Sequence, residues 1–196
     1  MKKLVMVMIM TAFLMLPSPT TAEDKGAKSG ATAKEVYTGT LVNMSGGTVS
    51  TGFTLTLEGR TSDEEAQKYL SILASQGQDD LLKAISKNNL GFIAATGKTR
   101  RDLLVIREFQ IEGQRRIIAA FERWQGFFEV RGGYRSTDYP FSIIEIVFDQ
   151  KGRGTGTFIG LAHVRIKKDK KTEQFRLEIE NFGSFPAKVM GVMRRK

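Results

Sequence analysis

Cysteine is absent from the 196 residues, histidine and tryptophan occur once each, and proline four times. Each scarcity closes a chemistry. Without Cys there is no disulfide scaffold, no thiolate metal site, no cysteine nucleophile and no lipid-modified N-terminal Cys. One imidazole cannot build a poly-histidine metal site, so neither metal nor cofactor is expected, and any His-dependent general base must be His163. Long apolar runs are scarce too. After Leu16 no stretch approaches the ~20 apolar residues of a membrane helix. The chain is 41% hydrophobic and 26% charged, with a formal net charge of +9. That balance excludes a disordered or collagen-like chain, and the length suits one domain with a real core.

The N-terminus reads as an address. Met1-Lys2-Lys3 is a short positive region, Leu4 to Leu16 is apolar apart from Thr11, and Pro17 and Pro19 break any helix. Small residues at Thr20-Thr21-Ala22 then offer a cleavage site, the layout of a secretory signal peptide over residues 1–22. Export without cysteine suits a bacterial envelope, so a periplasmic or extracellular location is expected. Loss of Lys2 and Lys3 with the leader would lower the net charge from +9 to +7. Residues 23–34 carry no aliphatic side chain larger than Ala and read as a flexible tether. The mature protein is expected to contain no transmembrane segment.

From residue 35 a single β-rich α+β domain is expected. Val36, Thr38, Thr40 and Val42 alternate, as do Phe53, Leu55 and Leu57, with a hairpin signal at Ser45-Gly46-Gly47. Two helices follow this hairpin. Thr61-Ser62-Asp63-Glu64-Glu65 has a capping-box arrangement ahead of a stripe at Ala66, Tyr69, Leu70 and Leu73, and Gly77 stops it. Asp79-Asp80 then start a second helix with Leu81, Leu82 and Ile85 inward, and Asn88-Asn89 can end it in left-handed geometry. Everything after Leu90 reads as strand. Phe141 to Phe148 is apolar on both faces, which predicts a central, covered strand. Strict alternation over Gly154–Ile166 would put Ile159, Leu161, His163 and Arg165 on one face and Phe158, Ala162 and Val164 on the other. About nine strands are expected, mainly antiparallel, as a sandwich or partly closed barrel.

The segments Gly77-Gln78-Asp79-Asp80-Leu81-Leu82-Lys83-Ala84, Leu90-Gly91-Phe92-Ile93, Asp138-Tyr139-Pro140-Phe141-Ser142-Ile143-Ile144-Glu145 and Leu177-Glu178-Ile179-Glu180-Asn181-Phe182 resemble a family of uncharacterised secreted bacterial proteins. The resemblance runs from about Thr51 to the end. It implies a single exported domain and brings no activity, cofactor or catalytic residue.

Two catalytic candidates stand out. Glu145 interrupts the most apolar strand, where a carboxylate must reach solvent, pair with a cation or be neutralised; Arg107 and Arg123 are the available partners. His163 is the sole imidazole. Other patterns are weaker. Gly91 to Thr99 approaches a phosphate loop, but five residues separate its glycines where the motif has four, and no helix follows. Glycines at 152, 154, 156 and 160 mark a bulge or close packing. The acids at Asp63-Glu64-Glu65 and Asp79-Asp80 suit helix starts better than a metal.

Basic and aromatic residues crowd one third of the chain. Arg107, Arg115, Arg116, Arg123, Trp124, Arg131, Tyr134 and Arg135 form the candidate ligand-binding set, with the loop from Trp124 to Tyr139 as its edge. For an exported protein, an anionic envelope polymer, a lipid headgroup or an acidic protein is a more accessible partner than nucleic acid, which is not expected. The favoured function is a non-enzymatic binding protein using this edge or a cleft. The alternative is a hydrolase or isomerase using Glu145 or His163 in a β-lined pocket.

Overall fold

A computed structural model describes residues 33–43, 48–124, 138–168, 175–182 and 186–195. The signal segment, nearly all of the tether, and Ser45-Gly46-Gly47 lie outside these. The elements are β1 (Glu35–Asn43), β2 (Val49–Leu57), α1 (Asp63–Gln76), α2 (Gln78–Ile85), β3 (Gly91–Ala95), β4 (Arg101–Ile111), β5 (Gln114–Glu122), β6 (Phe141–Phe148), β7 (Gly154–Lys168), β8 (Phe175–Asn181) and β9 (Ala187–Arg194). The strands run in the order β6-β5-β4-β3-β2-β1-β9-β7-β8, all pairings being antiparallel, and β6 also pairs with β7. That last pairing closes an eight-stranded barrel and leaves β8 as an extra strand. The sandwich-or-barrel alternative is therefore resolved in favour of full closure.

One edge of β7 is shared by two strands. Its first part, Gly154–Phe158, meets β9, and its second part, Ala162–Lys168, meets β8. The β7–β8 pair thus runs on past the barrel as an extension.

An eight-stranded barrel is just wide enough for its own side chains. Leu55, Leu57, Ile93, Leu103, Ile117, Ile144 and Ile146 fill this lumen and are fully buried. On β1 the lumen face is Tyr37 and Leu41, not the Val36–Val42 stripe. The filling is tight enough to require glycine at two places. A Cβ on Gly154 would lie 2.7 Å from Ile146 Cγ2 and 2.9 Å from Val192 Cβ, and one on Gly39 would lie 2.9 Å from the Phe53 ring.

A second core lies outside the barrel. Ser62 caps α1: its Oγ accepts from Glu65 N at 3.2 Å while Glu65 Oε2 accepts from Ser62 N at 2.9 Å, which satisfies two otherwise orphaned donors. The helix pair buries Leu73, Leu81 and Ile85 against Leu104, Phe141, Ile143, Ile159, Ala162, Val164 and Ile179. This is why β6 is apolar on both faces: one face meets the lumen and the other meets the helices.

Two details depart from the sequence reading. The β6–β7 register shifts between Phe141↔Ala162 and Ile143↔Ile159, so Ile159 joins Ala162 and Val164 in the outer core instead of lying with His163. Ser142 Oγ donates to Gly160 O at 2.8 Å across this irregularity. Asn88 does not end α2 in left-handed geometry, since Glu112 is the only non-glycine with positive φ among the described residues. Its side-chain amide instead donates to Tyr69 Oη and to Leu104 O, both at 2.9 Å, fastening the helix pair to β4.

Gly154→Ala should lower stability by roughly 1–3 kcal/mol in chemical denaturation, because overpacking a filled core forces neighbours to move. Gly52→Ala, whose nearest atom would be Thr96 Oγ1 at 3.6 Å, should stay within about 0.5 kcal/mol of the parent. Equal losses in the two variants would contradict a tightly filled lumen.

Candidate functional site

With the lumen occupied by side chains, space for a ligand lies on the other side of the barrel wall. A half-open hollow of about 140 Å³ sits between the helix pair and the strands, and its exposed wall carries no polar atom. Ala66, Tyr69, Leu70, Leu73, Leu81 and Ile85 line it from the helices. Val105, Ile118, Ala120, Phe141, Ile143, Val164, Leu177 and Ile179 line it from β4 to β8. Two of these positions are alanines on facing elements, and small side chains there leave volume that Leu or Ile would fill. An apolar cavity of roughly 150 Å³ stays dry and accepts a benzene-sized guest.

The hollow has a direction. Toward the C-terminal half of α1 lies a second hollow of about 270 Å³, lined by Leu70, Ser71, Ala74, Ile166, Phe175 and Leu177. Leu70 and Leu177 belong to both. Phe175 is 61% exposed there. Toward the N-terminal end of α1, Arg107 is the one charged residue on the wall of the first hollow among the described residues. It stands opposite Ile118 on the outer face of β4. Its guanidinium donates to Thr61 O at 2.8 Å and to Asp63 Oδ1, while its Nε is buried without a hydrogen-bond partner. The Arg107 side chain is 17% exposed but that of Asp63 is 79% exposed.

Arg115 does something different. It closes one end of the lumen, where it donates to Glu108 Oε1 at 2.6 Å, to Glu35 Oε2 at 2.7 Å and to Tyr37 Oη at 2.5 Å. Arg60 reaches the same two carboxylates, Glu35 at 2.7 Å and Glu108 at 3.0 Å, and Arg194 lies 3.4 Å from Glu35. The hydrogen bond from Arg115 holds the Glu108 carboxyl below its ordinary value of 4.5, against a smaller push from burial. Burial pushes Glu35 up, but Arg115 and Arg60 together outweigh it and leave Glu35 below 4.5 as well. These arginines are committed to the fold rather than offered to a ligand.

The remaining candidates are scattered. Glu145 lies on the outer wall 3.1 Å from Arg116, so its partner is neither Arg107 nor Arg123. Burial raises its pKa, with Arg116 opposing. The pair edges an open surface hollow of about 520 Å³ with Thr155, Thr157 and Lys188. His163 is elsewhere, on the extension, with Nδ1 2.9 Å from Asp138 O and its ring edge-on to Tyr139. The hollow that Glu145 edges does not include His163. Arg123 is buried and donates to Trp124 O at 3.2 Å. Trp124 packs edge-on to Phe121 at 5.0 Å and donates to Thr99 O at 2.6 Å, closing the other end of the lumen. Arg131, Tyr134 and Arg135 lie outside the described residues. Among the described residues no His, Asp and Glu cluster could hold a metal ion, and no helix is long and apolar enough to cross a membrane.

Compared with protein-family models, with curated proteins and with solved structures, the chain matches none. Of the sequence candidates among the described residues, only Arg107 touches the apolar hollow. Its other walls carried a signal only as helix and strand stripes, which serve packing and binding alike.

Replacing Arg115 with Met should cost roughly 2 kcal/mol near neutral pH, since Glu35 and Glu108 lose charge-assisted bonds and keep Arg60 as their shared partner. Both carboxyls are lowered in the fold, so their contribution is present above 4.5 and is lost as pH falls through their folded values. Thermal melts of parent and variant should therefore converge in acid. A gap that stayed constant from neutral pH into that range would refute this role.

Proposed function

We propose that this protein is an exported, non-enzymatic binding protein that takes a small apolar group into the hollow between its helix pair and its barrel wall. The observation that carries this is a benzene-sized hollow, walled wholly by apolar atoms, in a molecule whose lumen is otherwise filled. Cores are normally packed to crystal-like density, and an unfilled apolar volume forgoes the dispersion contacts of its lining. A guest restores those contacts, and the site needs no polar chemistry to hold it. The signal-like leader and the lack of cysteine support export into a bacterial envelope.

The test fills the hollow from within. Ala120→Leu places a larger side chain where the guest would lie. Binding of 1-hexanol, followed by calorimetry, should weaken at least tenfold, while the melting temperature holds or rises because packing improves. Unchanged hexanol affinity in this variant would reject the hollow as the site.

A further inference from the structure

Resting on that reading, we infer that the guest is a single-chain carboxylate, a medium-chain fatty acid, lying along α1 with its carboxylate at Arg107 and its chain end beside Phe175. Shape selects a chain rather than a compact ring. The two hollows share Leu70 and Leu177 as lining, and between them they follow α1 from Ala66 to Ala74. At the helical rise those positions are about 12 Å apart along the axis. A benzene-sized guest would leave the second hollow empty. An extended hydrocarbon fills both and covers the exposed Phe175 ring.

Charge selects the head group. Arg107 lines the apolar hollow with its carbon stem and sets a fixed cation beyond that wall, against Thr61 and Asp63, and its buried Nε has no hydrogen-bond partner. Its carboxylate partner, Asp63, is exposed, and such ion pairs contribute only about 0–1 kcal/mol. A ligand carboxylate can take the place of Asp63, with the donor fork of Arg matched to carboxylate oxygens. Glu64 and Glu65 in the same helical turn disfavour an anion there, but Glu65 is engaged in the capping box. Arg116, diagonal to Arg107 across the β4–β5 ladder, adds a second cation on that face, though Glu145 lies against it.

The experiment compares decanoate, 1-decanol, hexanoate and 1-hexanol by calorimetry on the parent, Arg107→Met, Arg107→Lys and Ala74→Trp. Ala74 is an exposed helix position that lines the second hollow alone, so its variant should fold normally. The parent should bind decanoate at least tenfold more tightly than decanol. That preference should vanish in Arg107→Met and persist in part in Arg107→Lys. From hexanoate to decanoate each methylene should tighten binding roughly fourfold in the parent, and that gain should disappear in Ala74→Trp. Equal affinity of the parent for decanoate and decanol would overturn the head-group assignment. A chain-length gain that survives in Ala74→Trp would overturn the path. Either result leaves hexanol binding intact, whereas loss of all four ligands from the parent would instead remove the apolar-guest reading beneath it.

Discussion

Closure of the sheet is the constraint on which the rest depends. Once β9 joins β1 to β7, and β7 joins β6, eight strands enclose a space that only side chains can occupy. The lumen becomes an ordinary core, and its glycines are dictated by ring and methyl contacts across it. The strands of the wall still have an outer face. On β4 to β7 that face is apolar, so the helices after the first hairpin fold back to cover it. The apolar hollow is what this cover leaves open.

Charge follows the same division. The arginine-rich stretch looks in sequence like one basic surface, but strand alternation sends its members to opposite sides of the wall. Arg115 points into the end of the lumen and is locked by Glu35, Glu108 and Tyr37. Arg116, its neighbour, points outward to Glu145. Arg107 is outward too and meets the start of α1. Net charge thus overstated the number of cations free for a partner, because several are used to neutralise carboxylates that the fold has drawn out of water.

Local features were legible in the sequence. The capping box at Ser62 and Glu65, the helical stripes and the two-sided apolarity of β6 each rest on neighbours within one element or one turn. What depended on pairing over long separations was not. Nothing in the residues of β9 says that it lies between β1 and β7, and nothing in β7 says that its register slips near Gly160. That slip transfers Ile159 to the helix side and separates it from His163. The partner of Glu145 was misjudged for the same reason, since Arg116 reaches it diagonally across the β5–β6 ladder. The hollow was beyond sequence reading altogether. It is a shortage of atoms between Ala66 and Ala120, and those residues come from elements whose packing partners only the closed barrel defines.

The most direct measurement is a methyl-resolved NMR titration of the protein with 1-decanol. Methyl groups of Leu73, Val105, Ile118, Ile143 and Leu177, on the helix side of the wall, should shift and saturate together. Those of Leu55, Ile117, Ile144 and Ile146, in the lumen, should stay in place. Saturable shifts confined to the lumen methyls would contradict the account, because the guest would then occupy the space that closure is held to have filled.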